Sequence, residues 1–327
     1  MPPKPEPFDR QGYDAMKKIT LALLSGGISS ERDVSLHGGD QIFDALDKAK
    51  YHVMRYDPKT DLGRLVQDAD RIDAALINLH GPYGEDGTVQ GLLELLGIPY
   101  QGSGVLGSAL AMNKLAAKQL YERCGLPQPA YTVQTRSDSL DATDLIERLG
   151  LPLVVKPVQG GSSVGISIVR QREALQQAVR TALAEDDAIL IEAYIEGIEL
   201  TGGVIGNDRL DALPIIEIVP DVDHEFFNYD AKYTAGITRE ICPARIDDHL
   251  AATAQTYAQT AHRALFCKGY SRTDMILRGR EIYVLETNTI PGMTATSLLP
   301  LAARSAGMSF DRLLDRLIEL GLEGRRK

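Results

Sequence analysis

Between residues 18 and 112 the chain alternates strand-length apolar runs (19–24, 52–56, 74–79) with stretches of helical apolar spacing (39–48, 88–96, 104–112). No other feature restricts the fold as much. Such strands are apolar on both faces, so both faces must be covered, which predicts a parallel sheet flanked by helices. Ligands of open sheets of this kind bind beyond the carboxyl ends of the strands, at the loops that follow residues 24 and 79.

The pattern then changes. A helix is expected to run on from 113 to about 124, followed by strands at 153–156, 165–169 and 188–194 and helices near 142–149 and 173–184. Beyond 200 come strands at 201–205, 210–219 and 238–242, and then a helix over 247–265. A strand pair, 272–277 and 281–287, turns around Arg278-Gly279, and helices near 299–306 and 310–320 close the chain. The expectation is an α/β chain, α+β in its C-terminal half, built from three units at 16–112, 113–200 and 201–327. Residues 1–15 hold four prolines and no apolar period, which predicts a disordered leader and makes Met16 a candidate start.

With 35 Lys and Arg against 45 Asp and Glu, the formal net charge is −10. That balance argues against a nucleic-acid or anionic-membrane partner, for which a basic face supplies most of the attraction. The run 19–24 is too short for a signal peptide, and nothing approaches the about 20 apolar residues that span a bilayer. Cys124, Cys242 and Cys267 are far apart and odd in number, so neither a disulfide framework nor a zinc site is expected. These features together predict a cytoplasmic protein.

Three clusters could carry chemistry. Lys156-Pro157-Val158-Gln159-Gly160-Gly161-Ser162-Ser163-Val164-Gly165 joins two strands, and its backbone N–H groups suit phosphate oxygens as well as a plain turn. It is not a Walker A loop. Glu286 and Asn288 are two apart on one strand and so share a face, and the Arg278-Gly279 turn brings Asp274 roughly opposite Glu286. Two carboxylates and an amide oxygen are hard ligands for Mg²⁺; the other reading is a solvated sheet face paired with Arg272. His80 and Glu31 follow apolar strands; Glu31 suits either a substrate ammonium or the dipole of the next helix. His37, His52, His224, His249 and His262 show no ligand spacing, and no Ser-His-Asp order or GxSxG elbow points to a hydrolase.

Six motifs follow one another along the chain. They are Gly26-Gly27…Glu31-Arg32-Asp33-Val34-Ser35-Leu36; His80-Gly81…Gly84-Glu85-Asp86-Gly87; Gly102-Ser103-Gly104; Lys156-Pro157…Gly161-Ser162-Ser163-Val164-Gly165; Tyr229-Asp230-Ala231-Lys232-Tyr233; and Leu285-Glu286-Thr287-Asn288-Thr289…Pro291-Gly292-Met293-Thr294. The ordered set, covering about 18–320, resembles the D-alanine–D-alanine ligase family, ATP-grasp amide ligases of peptidoglycan precursor synthesis. The resemblance implies a Rossmann-like first domain plus two α+β units that clamp ATP. It implies phosphorylation of one D-alanine carboxylate by ATP, then attack by the amine of a second on the acyl phosphate, with D-lactate or D-serine as alternative second substrates.

The resemblance also implies roles. Lys114, Lys156 and Lys232 would hold ATP phosphates beside Ser163, with Glu192, Ala193 and Ile195 at the adenine and Glu199 at the ribose. Asp274, Glu286 and Asn288 would bind two Mg²⁺ (or Mn²⁺). Arg272 and the Gly292 N–H would face the tetrahedral oxyanion. Glu31 and His80 would serve the first D-alanine, and Ser297 and the Leu298 N–H the carboxylate of the second. Glu31, Ser162 and Tyr233 resemble a triad that closes a loop of about 224–236 over the site, and Tyr233 favours an amine nucleophile. A homodimer through the N-terminal unit is a further implication. Gly160, Ala193, Thr201-Gly202, Ser271 and Thr296 depart from the family's common pattern.

Overall fold

The computed structural model describes residues 18–161, 164–220 and 238–323. The leader, Ser162, Ser163, Lys232, Tyr233 and the 224–236 loop therefore lie outside the described residues.

Strands β1 (Ile19–Ser25), β2 (Tyr51–Tyr56) and β3 (Ala74–Asn78) form the expected parallel sheet, in the order β2-β1-β3. Around it lie α1 (Arg32–Ala45), α2 (Leu62–Gln67), α3 (Thr88–Leu95) and α4 (Val105–Met112). Side chains of β1 alternate between two cores, as strand geometry requires. Leu21 and Leu23 pack with Ile42 and Leu46 on one side, while Ala22 and Leu24 pack with Val89 and Leu93 on the other.

The helix expected to run on through Asn113 does not. Asn113 is extended (φ −88°, ψ 98°), its side chain accepts a hydrogen bond from the Ala116 N–H, and α5 (Lys114–Arg123) starts afresh. A short amide that can bond the backbone caps a helix better than it continues one. The break places Lys114 at the first position of a new helix.

The second sheet is antiparallel, with β4 (Tyr131–Thr135), β5 (Leu153–Pro157), β6 (Ser167–Val169) and β7 (Ala188–Ala193) in the order β4-β7-β5-β6. It is backed by α6 (Ala142–Leu149) and α7 (Arg172–Glu185), whose Leu175, Ala178, Val179 and Ala182 share a core with Val155, Ile189 and Ile191. The third sheet runs β11-β10-β8-β12-β13, with β9 also on β8. Its strands are β8 (Ile198–Gly206), β9 (Leu210–Ala212), β10 (Ile216–Pro220), β11 (Thr238–Ile241), β12 (Tyr270–Arg278) and β13 (Glu281–Asn288). The single strand expected over 210–219 is two strands, because Pro214 has no N–H for the ladder and ends the first.

Helix α8 (Asp248–Ala264) covers the third sheet, and α9 (Leu298–Ser305) and α10 (Phe310–Glu323) end the described chain. Leu313, Leu314, Leu317 and Ile318 of α10 return to the first sheet, joining Leu21, Leu23 and Leu76 in one core. No described helix is long and apolar enough to cross a membrane.

Candidate active site

The hairpin β12–β13 pairs Arg272 with Asn288 and Asp274 with Glu286, as the strand period predicts, with a bulge after Asp274. All four side chains project from one face. Arg272 holds Asp274 with two hydrogen bonds, Nε to Oδ1 at 2.9 Å and Nη2 to Oδ2 at 2.8 Å. Thr201 Oγ1 donates to Asp274 Oδ1 at 2.6 Å, and Asn288 turns its NH₂ to Oδ2 at 3.1 Å, which leaves its amide oxygen facing away. On the opposite face Thr273 and Thr287 are joined at 3.0 Å, Tyr121 of α5 donates to Thr287 at 2.7 Å, and Ser271 meets His262 Nδ1 at 2.8 Å.

A cavity of about 720 Å³ opens above the charged face, lined by Glu31, His80, Lys114, Arg272, Gly292 and Ser297 among others. The loop carrying Glu31 is pinned from below, with Arg32 bridging the Gly27 carbonyl (2.8 Å) and Asp57 (2.5 Å). Glu31 is buried and its carboxylate rests against Gly81, where an added Cβ would lie 2.9 Å from Oε2. Gly81 has φ +71°, so a side chain there would be strained as well as crowded. Burial holds the His80 imidazole below its ordinary pKa against the opposing pull of Glu31, so the ring is neutral near pH 7. Nearby Glu85 accepts from the Gly81 N–H (2.7 Å), and its desolvated setting, then Glu31, raises its pKa to about 8.

At the far end Ser297 precedes α9 and folds its hydroxyl back to the Thr294 N–H (3.1 Å) and Thr294 Oγ1 (2.7 Å). The Leu298 N–H then opens the first turn of α9, where N–H groups have no helical partner and suit a carboxylate. Gly292 lies against this turn, 3.0 Å from Ser297 Oγ at its would-be Cβ. Of the departing positions here, Thr296 Oγ1 lies 3.3 Å from Thr294 Oγ1, and no described atom comes within 4 Å of a Cβ placed on Gly160.

A second cleft, about 380 Å³, lies between the two antiparallel sheets and is lined by Lys156, Glu192, Ala193, Ile195, Glu199 and Asp274 among others. Glu286 lines both cavities. Lys114 Nζ donates to the Gly160 carbonyl at 2.6 Å, so it reaches the glycine loop. Lys156 lies diagonal to Glu192 on neighbouring strands, and the pair is 2.9 Å apart. Lys118, which the sequence did not single out, takes the other oxygen of Glu192 at 3.0 Å. Burial pushes the Glu192 pKa up, but Lys156 and Lys118 outweigh it, so the carboxyl is ionised. The described residues thus bring Glu31, His80, Arg272, Gly292, Ser297 and Leu298 to one cavity, with Lys114 on its wall, and Lys156, Glu192, Ala193, Ile195 and Glu199 to the other, with the carboxylate hairpin between them.

Residues 57–103 match the family model described as D-ala D-ala ligase N-terminus, and residues 120–319 match D-ala D-ala ligase C-terminus. A D-alanine–D-alanine ligase of Syntrophobacter fumaroxidans is 63% identical, over 94% of this chain and 99% of its own. The chain belongs to the D-alanine–D-alanine ligase family. Among solved structures, the family's ATP complex from Bacillus anthracis superposes with a TM-score of 0.82 at 36% identity, over 94% of this chain and 99% of that one. The VanG D-Ala:D-Ser ligase from Enterococcus faecalis gives 0.80 at 32%, over 93% of this chain and all of that one. The fold is therefore the ATP-grasp arrangement, with one parallel and two antiparallel sheets.

Proposed function

We propose that this chain uses ATP to join two D-alanines into D-alanyl-D-alanine. The reading rests on one observation above the rest: Glu286 borders both the cavity of Glu31 and His80 and the cleft of Lys156 and Glu199. A carboxylate shared by two cavities is where a phosphoryl group passes from one substrate to the other.

Glu31, buried against Gly81, takes the ammonium of the first D-alanine, and neutral His80 stands beside it. The first carboxylate then lies over the hairpin, where ATP phosphorylates it and ADP departs. Lys114 and Lys156 meet the phosphates, Ala193 and Ile195 flank the base, and Glu199 takes the ribose. The amine of the second D-alanine, its carboxylate held at Ser297 and the Leu298 N–H, attacks the acyl phosphate. Arg272 and the Gly292 N–H stabilise the oxyanion that forms, and phosphate leaves. Asp274, Glu286 and the outward oxygen of Asn288 have the hard-donor chemistry for Mg²⁺ or Mn²⁺, which when bound neutralises phosphate charge. Ser162, Ser163, Lys232 and Tyr233 keep their family roles in this reading, Tyr233 as the residue favouring an amine. We place the reaction in the cytoplasm, in a homodimer, with domains at 16–112, 113–200 and 201–327.

Incubation with ATP, Mg²⁺ and D-alanine, with phosphate release followed and the product weighed, is expected to give D-alanyl-D-alanine. D-lactate or D-serine winning against D-alanine at neutral pH would replace the second substrate and leave the mechanism. No D-alanine-dependent phosphate release would remove the reading.

A further inference from the structure

Lys118 has no part in the scheme above, yet it is completely buried. It stands on α5 one turn after Lys114, and Tyr121 follows on the same side of the helix. Helix α5 thus touches the glycine loop through Lys114, the nucleotide cleft's wall through Lys118, and the back of the carboxylate hairpin through Tyr121. The Lys118 ammonium has two described neighbours: Glu192 Oε1 at 3.0 Å and the ring of Tyr131 at 4.9 Å. Glu192 is the one described carboxylate that it pairs with. Burying a lysine this way is costly, and desolvation, then the repulsion of Lys156, lowers its pKa against the pull of Glu192.

Packing alone does not call for an ammonium here. A methionine would fill the same space without the desolvation cost, and the neighbouring core is apolar, with Ala117, Tyr121 and Leu126. What the charge does is settle the balance around Glu192. Glu192 lies between two lysines, at 3.0 Å and 2.9 Å, and is itself almost fully buried. Lys156 borders the cleft, whereas Lys118 lines neither cavity. Without Lys118, Glu192 would cancel Lys156 and the cluster would present no net charge to the cleft. With Lys118, the three groups sum to one positive charge, and the lysine that can deliver it is the one facing the nucleotide.

We infer that Lys118 is a positioning residue for nucleotide binding: it occupies the Glu192 carboxylate so that Lys156 presents an uncancelled positive charge to the phosphates. This rests on the nucleotide reading of the cleft. It adds a residue that touches no substrate and acts on affinity for phosphate more than on affinity for the base, beside which the family resemblance places Glu192.

The test measures binding of adenosine, ADP and ATP by titration calorimetry to the full chain, with unliganded melting temperatures recorded alongside. Lys118→Met is expected to weaken ATP and ADP about tenfold and to leave adenosine within twofold. The steady-state KM for ATP rises in step and that for D-alanine stays put. Lys118→Met/Glu192→Gln returns the cluster to one positive charge and is expected to recover the preference for ATP over adenosine. ATP binding unchanged in Lys118→Met overturns the inference, as does an equal loss for adenosine, which is the mark of a packing role. Should Lys118→Met alone not fold, Lys118→Gln, which keeps a polar side chain and removes only the charge, decides: a loss of ATP and ADP that spares adenosine supports the charge balance, and unchanged ATP binding refutes it. If the unaltered chain binds no ATP, the nucleotide reading itself fails, a result distinct from all of these.

Discussion

The two faces of the β12–β13 hairpin are built on opposite plans. One face holds Arg272, Asp274, Glu286 and Asn288, charged or strongly polar, partly exposed and open to both cavities. The other holds Ser271, Thr273 and Thr287, all buried, neutral, and bonded to His262 and Tyr121. The charged face has to keep its groups solvated or available to a ligand, because a fully buried carboxylate pair would protonate or demand a permanent cation. The neutral face can be rigid at modest cost, and it holds the strands in register without adding a field to the reacting side. Substitutions in front should therefore act on turnover, and substitutions behind should act on stability.

That division can be broken at four places. Glu286→Ala removes the carboxylate common to both cavities and is expected to lower kcat by ~10³ or more, with melting temperature hardly changed. Normal turnover at saturating Mg²⁺ would remove Glu286 from the chemistry. Arg272→Ala takes away the oxyanion partner, and kcat should fall ~10²- to 10³-fold while the KM for ATP stays close to its original value. A change confined to KM would make Arg272 a binding residue.

Behind the hairpin, burial pushes the His262 imidazole from 6.5 down to about 4. The unfolded chain binds its proton near pH 6.5 and the folded chain does so only near pH 4, so stability falls as pH drops through that window. Denaturant unfolding at pH 7 and at pH 4 should show His262→Gln losing less on acidification than the parent, by about 3 kcal/mol. Equal acid sensitivity would mean that His262 titrates normally. Tyr121→Phe deletes the bond to Thr287 and should cost about 1 kcal/mol of stability, read as a lower denaturant midpoint, with kcat within a factor of two. A large loss of kcat in this variant would show that the neutral face is tuned to the chemistry after all.

Much of the charged face was legible because strands repeat every two residues. Glu286 and Asn288 had to share a side, and the turn at Arg278-Gly279 set the register that put Asp274 opposite Glu286. The loops of Glu31 and His80 were legible for a similar reason, since they follow runs that are apolar apart from Thr20 and Asn78. Lys118 was not. A lysine within an amphipathic helix reads as a solvated residue, and its partner Glu192 arrives 74 positions later on a strand of another sheet. His262 showed no ligand spacing and Ser271 stood out only as a departure from the family's pattern; their hydrogen bond joins residues nine positions apart. Strand β4, Tyr-Thr-Val-Gln-Thr, was missed because it is half-buried at the sheet edge and its pattern is mostly polar. The boundary at Asn113 was missed because the apolar spacing continues across it while the capping amide does not.

The return of α10 to the first sheet bears on the order in which the molecule is made. Leu21 and Leu23 leave the ribosome about 290 residues before the leucines of α10 that complete their core. At a synthesis rate of roughly 5–20 residues per second, one side of the first sheet waits some fifteen seconds to a minute for the rest of its cover. Through that interval α1 covers part of the surface, and the last described helix completes the core around the first strand.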